Sequence, residues 1–319
     1  MSRVLVPVSL GGSAQRCEVY PPGGPPPSPE LVSALIAHYA SERLPPGGAL
    51  EVSFVHGGAP SDALLEAAAP WPVRVSCSPA DLSPADADRL ASRGVRLVEL
   101  EALTLSDPTL RALRRGYTAG RVLAMRQGLT RRGVAVGLTL MPGLPGTDHP
   151  SALADLERAL APEAGPLAHA RLYPALALEG AGLARWFREG RWRPMRLGEA
   201  LTTLVALMDR LDAAGVPVAR VGLQPGPDLG ATLVAGPHHP NLRGLVEGRR
   251  YRRRMVEALA GAAPGAEVTL GVHPKDLGEA RGGSNQNLRA VRIALSVGRL
   301  RVVADDSVPR GAVRVRGEG

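Results

Sequence analysis

Two cysteines, Cys17 and Cys77, hold all the thiol chemistry of this 319-residue chain. Cys17 with His56 could begin a metal site. Zinc, however, takes four protein ligands, or three and a water, and no Cys/His spacing here completes such a set. The sequence is therefore read as holding no metal and no disulfide framework. A second group of residues has the chemistry to hold an anion. Arg171, Arg220 and Gln224 fall at strand positions, where they either grip an anionic ligand or form a structural network around a pocket. Tyr173 offers a face on which a base can stack, or a core ring with a bonded hydroxyl. His238 and His239 could meet substrate or phosphate. Adjacent loop residues point in different directions, so one packed and one solvated ring fits equally well. Gly57 and Gly58 let the backbone come close to a ligand. No P-loop, nucleophile elbow or zinc-protease signature occurs.

The densest run of charge is basic. Between Asn241 and Leu259 lie Arg243, Arg249, Arg250, Arg252, Arg253 and Arg254. On a helix, 243, 250 and 254 share one face, with 249 and 253 beside them. Like charges so spaced disfavour the isolated helix, which points to an anionic partner; a solvated face is the plain alternative. The whole chain carries +8, with Lys275 its only lysine. Arginine suits bidentate contact with phosphate, and net positive charge favours polyanions. A GC-rich coding bias would produce the same wealth of Ala, Gly, Pro and Arg. No apolar run is long enough to span a bilayer. The start leads straight into a strand and is not a signal peptide. A cytoplasmic location with no membrane partner is expected.

The elements that must position these residues alternate. Strands are expected at Val4–Val8, Leu50–Val55, Val73–Ser76, Val95–Leu100, Val134–Leu140, from Ala170, and at Val218–Leu223. Helices fall between them, at Glu30–Arg43, Ser61–Ala69, Pro84–Arg93, Asp107–Arg115, Ala119–Arg132, Pro150–Leu160 and Leu197–Ala214. Gly94, Gly133 and Gly215 follow helices as stop signals. Such β/α units argue for a parallel sheet. Apolar runs such as Val134–Leu140 suit strands covered on both faces. About seven units fit a complete or partial β/α barrel, whose working residues sit where strands end and loops begin. Aromatics are 3% of the chain, so Leu, Val and Ala must fill its core. After the basic helix the chain changes character. A strand at Glu267–Val272, the loop Gly282-Gly283-Ser284-Asn285, a helix to about Ala294 and strands at Leu300–Val303 and Ala312–Val315 make a small α+β domain. The boundary is placed at 262.

Five segments, in order, carry a family resemblance: Leu138-Thr139-Leu140-Met141-Pro142-Gly143-Leu144-Pro145-Gly146, Arg171-Leu172-Tyr173-Pro174, Gly182-Leu183-Ala184-Arg185-Trp186, Arg220-Val221-Gly222-Leu223-Gln224-Pro225 and Ala235-Gly236-Pro237-His238-His239-Pro240. With them the chain resembles bacterial radical S-adenosylmethionine (SAM) proteins related to the elongator catalytic subunit, over nearly its whole length. The resemblance implies a partial β/α barrel over 1–262 and a small domain over 263–319, without the acetyltransferase domain of the better-known relatives. It implies SAM cleavage by a four-iron cluster, and tRNA as substrate.

The departures fall at strand ends. The family's C-x3-C-x2-C cluster motif reads Ser13, Cys17 and Tyr20 here, and cluster iron is held by thiolates. The aromatic-Gly-Gly motif that supports SAM becomes Val55-His56-Gly57-Gly58. An arginine is absent after Ser76-Cys77-Ser78. A pocket glutamine becomes Leu103, which could plug the mouth, and a histidine becomes Tyr117. These losses imply a non-catalytic radical SAM-like protein that binds RNA, with tRNA or a ribonucleoprotein as partner. The contacts expected for RNA are Arg243, Arg249, Arg250, Arg253, Arg254 and Asn285. No cofactor is expected and no 4Fe–4S cluster; SAM stays open through Gly57 and Gly58. The alternatives are an active enzyme with non-standard ligation, or a partner of an active paralogue. The tail's strand–helix–glycine loop–helix–strand order is similar to a KH RNA-binding module. It lacks the second glycine of the G-x-x-G loop, so Asn285 would supply the turn and Asn287 a helix cap.

Overall fold

Helix boundaries follow the caps written into the chain. Ser28, Ser61 and Thr118 each accept a hydrogen bond from the third backbone amide onward, and Ser83 with Asp86 forms a capping box. Gly94, Gly133 and Gly215 turn the chain at φ of +77°, +74° and +68°, where an L-side chain would strain. The computed structural model describes residues 3–11, 24–223 and 229–316.

The first part runs β1 (Arg3–Ser9), α1 (Pro29–Glu42), β2 (Ala49–Gly57), α2 (Asp62–Ala68), β3 (Val73–Cys77) and α3 (Pro84–Ser92). It continues with β4 (Leu97–Leu103), α4 (Asp107–Ala112), α5 (Ala119–Arg131), β5 (Ala135–Leu140), α6 (His149–Leu160) and β6 (His169–Leu172). Then come β7 (Ala177–Leu178), α7 (Gly182–Arg188), α8 (Leu197–Ala213), β8 (Val218–Val221), α9 (Leu229–Thr232) and β9 (Leu233–Ala235). Seven strands form one parallel sheet in the order β1-β2-β3-β4-β5-β6-β8. This is a curled parallel half-barrel, the partial β/α barrel that the alternation of elements predicts. The two-stranded β7–β9 ribbon is an addition the sequence does not announce.

Side chains of each strand alternate between two environments. One set, including Val52, Phe54, Val75, Val98, Leu100, Val136 and Leu138, packs in the main hydrophobic core. The other set is polar: Glu51, Ser53, Ser76, Glu99 and Thr139 are all buried. Arg126 on α5 is 1% exposed and meets only main-chain oxygens, those of Ala159 at 2.5 Å, Pro166 at 3.2 Å and Gly165.

The second part runs α10 (Leu242–Ala258), β10 (Glu267–Val272), α11 (Leu277–Arg281), α12 (Gln286–Leu295), β11 (Arg299–Ala304) and β12 (Arg314–Arg316). Its sheet has the order β11-β10-β12, with β11 parallel and β12 antiparallel to β10. Tyr251, Met255 and Leu259 of α10 share one core with Leu270, Val291 and Val302. The chain divides into two compact units, Met1–Ala200 with Leu207–His238, and Leu201–Ala206 with His239–Gly319. The division does not fall at the expected 262, because α10 packs its apolar face into the core of β10 and α12.

Among the described residues no helix is long and apolar enough to cross a membrane.

Candidate functional site

At the strand ends of the half-barrel lies a cavity of about 120 Å³. Its polar lining is His56, Ser76, Glu101, Thr139, Arg171 and Tyr173, with Met141 and Leu176 among the apolar walls. Arg171 and Tyr173 thus meet at one site, as the sequence suggests. Arg220 is the register partner of Arg171 on β8 but does not line the cavity. Gln224 lies outside the described residues. His238 and His239 do not line it either. The His238 amide donates to Gly236 O, and the His239 ring accepts from the Asn241 amide, so the latter histidine shapes the entry to α10. Leu103 does not plug the mouth: it is 1% exposed in a cluster with Leu113, Met141 and Leu144. Tyr117 is also buried, its hydroxyl donating to Glu101 O at 2.7 Å.

Beneath the cavity, Glu99 collects cations. Its carboxylate lies 2.6 Å from Arg171, 2.8 Å from His169 Nε2 and 3.4 Å from Arg74. His169 stands two strands away and reaches across β5 at Gly137. A Cβ there would lie 2.5 Å from the His169 ring, so the missing side chain makes the crossing. Burial alone would raise the Glu99 pKa. The His169 hydrogen bond and the charges of Arg171 and Arg74 outweigh it and hold the carboxyl below its usual range. Glu101, one layer up, behaves oppositely: burial pushes its pKa up, opposed in part by Arg115, His56 and the Ser76 hydroxyl. The site therefore sets a carboxyl group held below its usual pKa under one held above it. Ser76, singled out at a strand end in the sequence, lines the cavity, whereas Glu101 and Thr139 are not assigned a role there by the sequence reading. The Glu99-x-Glu101 alternation within an apolar strand was the available signal.

His56 adopts φ of +59°, an uncommon backbone for a non-glycine residue. Gly57 and Gly58 follow it. A Cβ on Gly57 would come 2.6 Å from Leu10 Cβ, and one on Gly58 3.0 Å from Asp81 O. Their bareness is used by the protein's own packing, and neither lines the cavity. Ser13, Cys17 and Tyr20 lie outside the described residues. Cys77 is the one thiol among the described residues, 0% exposed, and burial drives its pKa well above the ordinary thiol range. Iron and zinc take the thiolate, so the described residues do not fit a cysteine-held cluster. Nor do three His, Cys, Asp or Glu converge among them to hold a metal ion.

The second basic site is α10 with its neighbours. Residues 239–319 hold fifteen Arg and Lys against eight Asp and Glu, so about a quarter of the chain carries +7 of the +8. Arg243, Arg252 and Arg253 are exposed, and Arg249 is half-buried. Arg250 corrects the expectation of a basic face at 243, 250 and 254: it is 3% exposed and pairs with Glu247 at 3.0 Å. Arg254 lies over the Tyr251 ring. The helix turns Val246, Tyr251 and Met255 inward, and that apolar stripe carries Arg250 with it. Asn285 takes a left-handed φ of +59° at the start of α12, the turn expected of it. Asn287 is no cap; its buried amide donates to Gly248, Glu279 and Ala280 carbonyls.

Comparisons with known proteins agree with this architecture. Residues 168–252 match the radical SAM C-terminal domain. A tRNA uridine(34) acetyltransferase of Dehalococcoides mccartyi (strain CBDB1) is 30% identical over 137 residues, covering 43% of this chain and 30% of that protein. The chain thus spans less than a third of the curated relatives it matches. The archaeal Elp3 of Methanocaldococcus infernus superposes with a TM-score of 0.61 at 17% identity, over 84% of this chain and 70% of that one. The Escherichia coli coproporphyrinogen III oxidase HemN, a radical SAM enzyme, gives 0.52 at 14% identity, over 67% and 53%. The matches thus make the chain similar to radical SAM proteins. Among these, the similarity extends to elongator-like and tRNA-uridine-directed relatives.

These matches overturn the expectation that no cofactor is used. Radical SAM relatives typically use SAM and a 4Fe–4S cluster. Two replaced cysteine positions bear on one way of anchoring iron, and say nothing about a SAM site on a half-barrel that is otherwise kept.

Proposed function

We propose that this protein binds RNA, tRNA above all, through its C-terminal unit. The observation that carries the proposal is the segregation of charge: a half-barrel near neutrality and a unit of +7. Phosphate neutralisation by arginine is the sequence-independent part of nucleic-acid affinity. The tRNA-directed activity named for the matched relatives supports tRNA as the RNA. The test is filter binding of tRNA against a salt series. Affinity should fall linearly on a log–log plot, by about 0.7–0.9 in slope per phosphate contact. Undetectable or salt-insensitive binding refutes the reading.

The proposal extends to chemistry. Ser13 and Tyr20 occupy two of the three family cysteine positions, and Cys77 is sealed in the core. In this reading the chain has lost the family's standard cluster ligands and holds its RNA without turning it over. Anaerobic iron–sulfur reconstitution followed by a SAM-cleavage assay tests that half separately. Reductive cleavage of SAM would overturn it and leave RNA binding standing.

A further inference from the structure

RNA binding by the C-terminal unit leaves open where on that unit a nucleotide would sit, and any such seat rests on the RNA-binding reading. An open groove of about 410 Å³ lies between α10 and α12, within the range of about 300–1,000 Å³ usual for small-molecule sites. From α10 it takes Arg249, Arg252, Arg253 and Val256, spaced i, i+3, i+4 and i+7 and so on one face. From α12 it takes Ala290 and Ala294, one turn apart. The floor is therefore methyl groups, and the wall is guanidinium. Larger residues at 290 and 294 would fill it.

The arginines of this wall differ in their partners, and Arg249 donates to the Thr202 hydroxyl at 3.2 Å. Arg253 faces Glu257 at 3.4 Å, whereas Arg252 has no ion pair or hydrogen bond among the described residues. Burial and the charge of Arg252 both depress the Arg249 pKa. Crowding like charges along one helix face costs stability, and an anion placed there relieves it. A bare phosphate would satisfy the wall but gain nothing from an apolar floor. A nucleotide offers both an apolar base face and flanking phosphates.

We infer that the α10–α12 groove seats an unpaired nucleotide of the bound RNA, its base against Val256, Ala290 and Ala294 and its flanking phosphates on Arg249, Arg252 and Arg253. The experiment uses the full chain and a short oligouridine, with Kd measured across a salt series. Arg252→Gln with Arg253→Gln should weaken binding about tenfold or more and reduce the salt slope by about 1.4, two single-strand contacts. Arg299→Gln with Arg301→Gln removes the same charge from β11 of the same unit and should cost less than about threefold. Ala294→Glu, at an exposed position that leaves packing alone, should also weaken binding. Polyphosphate should compete less well than oligouridine of equal charge. Equal losses in the two arginine pairs, or equal competition by polyphosphate, overturn the groove and leave the RNA reading intact. Failure of the unaltered chain to bind any RNA removes both.

Discussion

Replacing Glu99 by Gln tests the charge layer beneath the barrel cavity. The carboxylate is 1% exposed, while the Arg74 and Arg171 side chains are 17% and 16% exposed. The substitution keeps shape but leaves two guanidinium groups with no counter-charge at this position. Breaking a buried ion pair from one side costs about 3–5 kcal/mol. The residual hydration of both arginines argues for the lower end, about 3 kcal/mol. That is a large share of the roughly 5–15 kcal/mol typical of a folded protein. All three tryptophans, Trp71, Trp186 and Trp192, lie in the half-barrel unit, so their fluorescence in a urea titration reports on this unit. The sign of the pH dependence follows from the depressed Glu99 pKa. Such a group stabilises the fold above its unfolded pKa of about 4.3, and that stabilisation is lost as pH falls through the folded value. The gap between wild type and Glu99→Gln should thus be full at about pH 7 and shrink as pH falls below the ordinary glutamate range. A gap under about 1 kcal/mol at neutral pH, or one that acid leaves unchanged, would refute the assigned role of this carboxylate.

Three further outcomes are expected from the same geometry. Gly137→Ala should push the His169 ring off Glu99, costing about 1.5–3 kcal/mol, and should be non-additive with Glu99→Gln; strict additivity would show that the two do not share a network. Tyr251→Phe removes a 2.6 Å hydrogen bond to the buried Asp276 carboxylate, which also accepts from the Gly311 amide at 2.9 Å. It should cost about 1.5–3 kcal/mol, read as faster hydrogen exchange at Gly311. Burial opposes ionisation of Asp276, but Tyr251, Gly311 and Arg310 outweigh it and depress its pKa, so this defect should shrink as pH falls through the carboxylate range. Cys77 should resist a thiol reagent at about pH 8 until urea unfolds the chain. Native labelling at the rate of a free thiol would contradict its burial.

Most strands and helices were legible because each carries its own punctuation. Ser83 with Asp86 opens α3 and Gly94 closes it, and the pattern repeats at Thr118 and Gly133. The β7–β9 ribbon was not legible: strands of two and three residues have no period to detect. At the cavity, Arg171 and Tyr173 could be picked out as polar residues at the end of a strand. Glu101 could not be assigned, since its protonation depends on neighbours from β2, β3 and the chain after α4. Arg250 was misplaced because spacing alone cannot tell which side of a basic helix faces the core. The apolar stripe of Val246, Tyr251 and Met255 decides that. The concentration of charge after residue 238 needed only counting, once the unit boundary was known.

Arg126 serves as mortar: a permanent cation spent on three main-chain oxygens at a bend. A lysine there would lose the planar fork that spans those oxygens. Some of the arginine that lifts this chain's charge is therefore masonry, not bait. A tally of basic residues overstates the surface a polyanion can reach, and the same composition in a relative could hide a smaller footprint than its isoelectric point suggests.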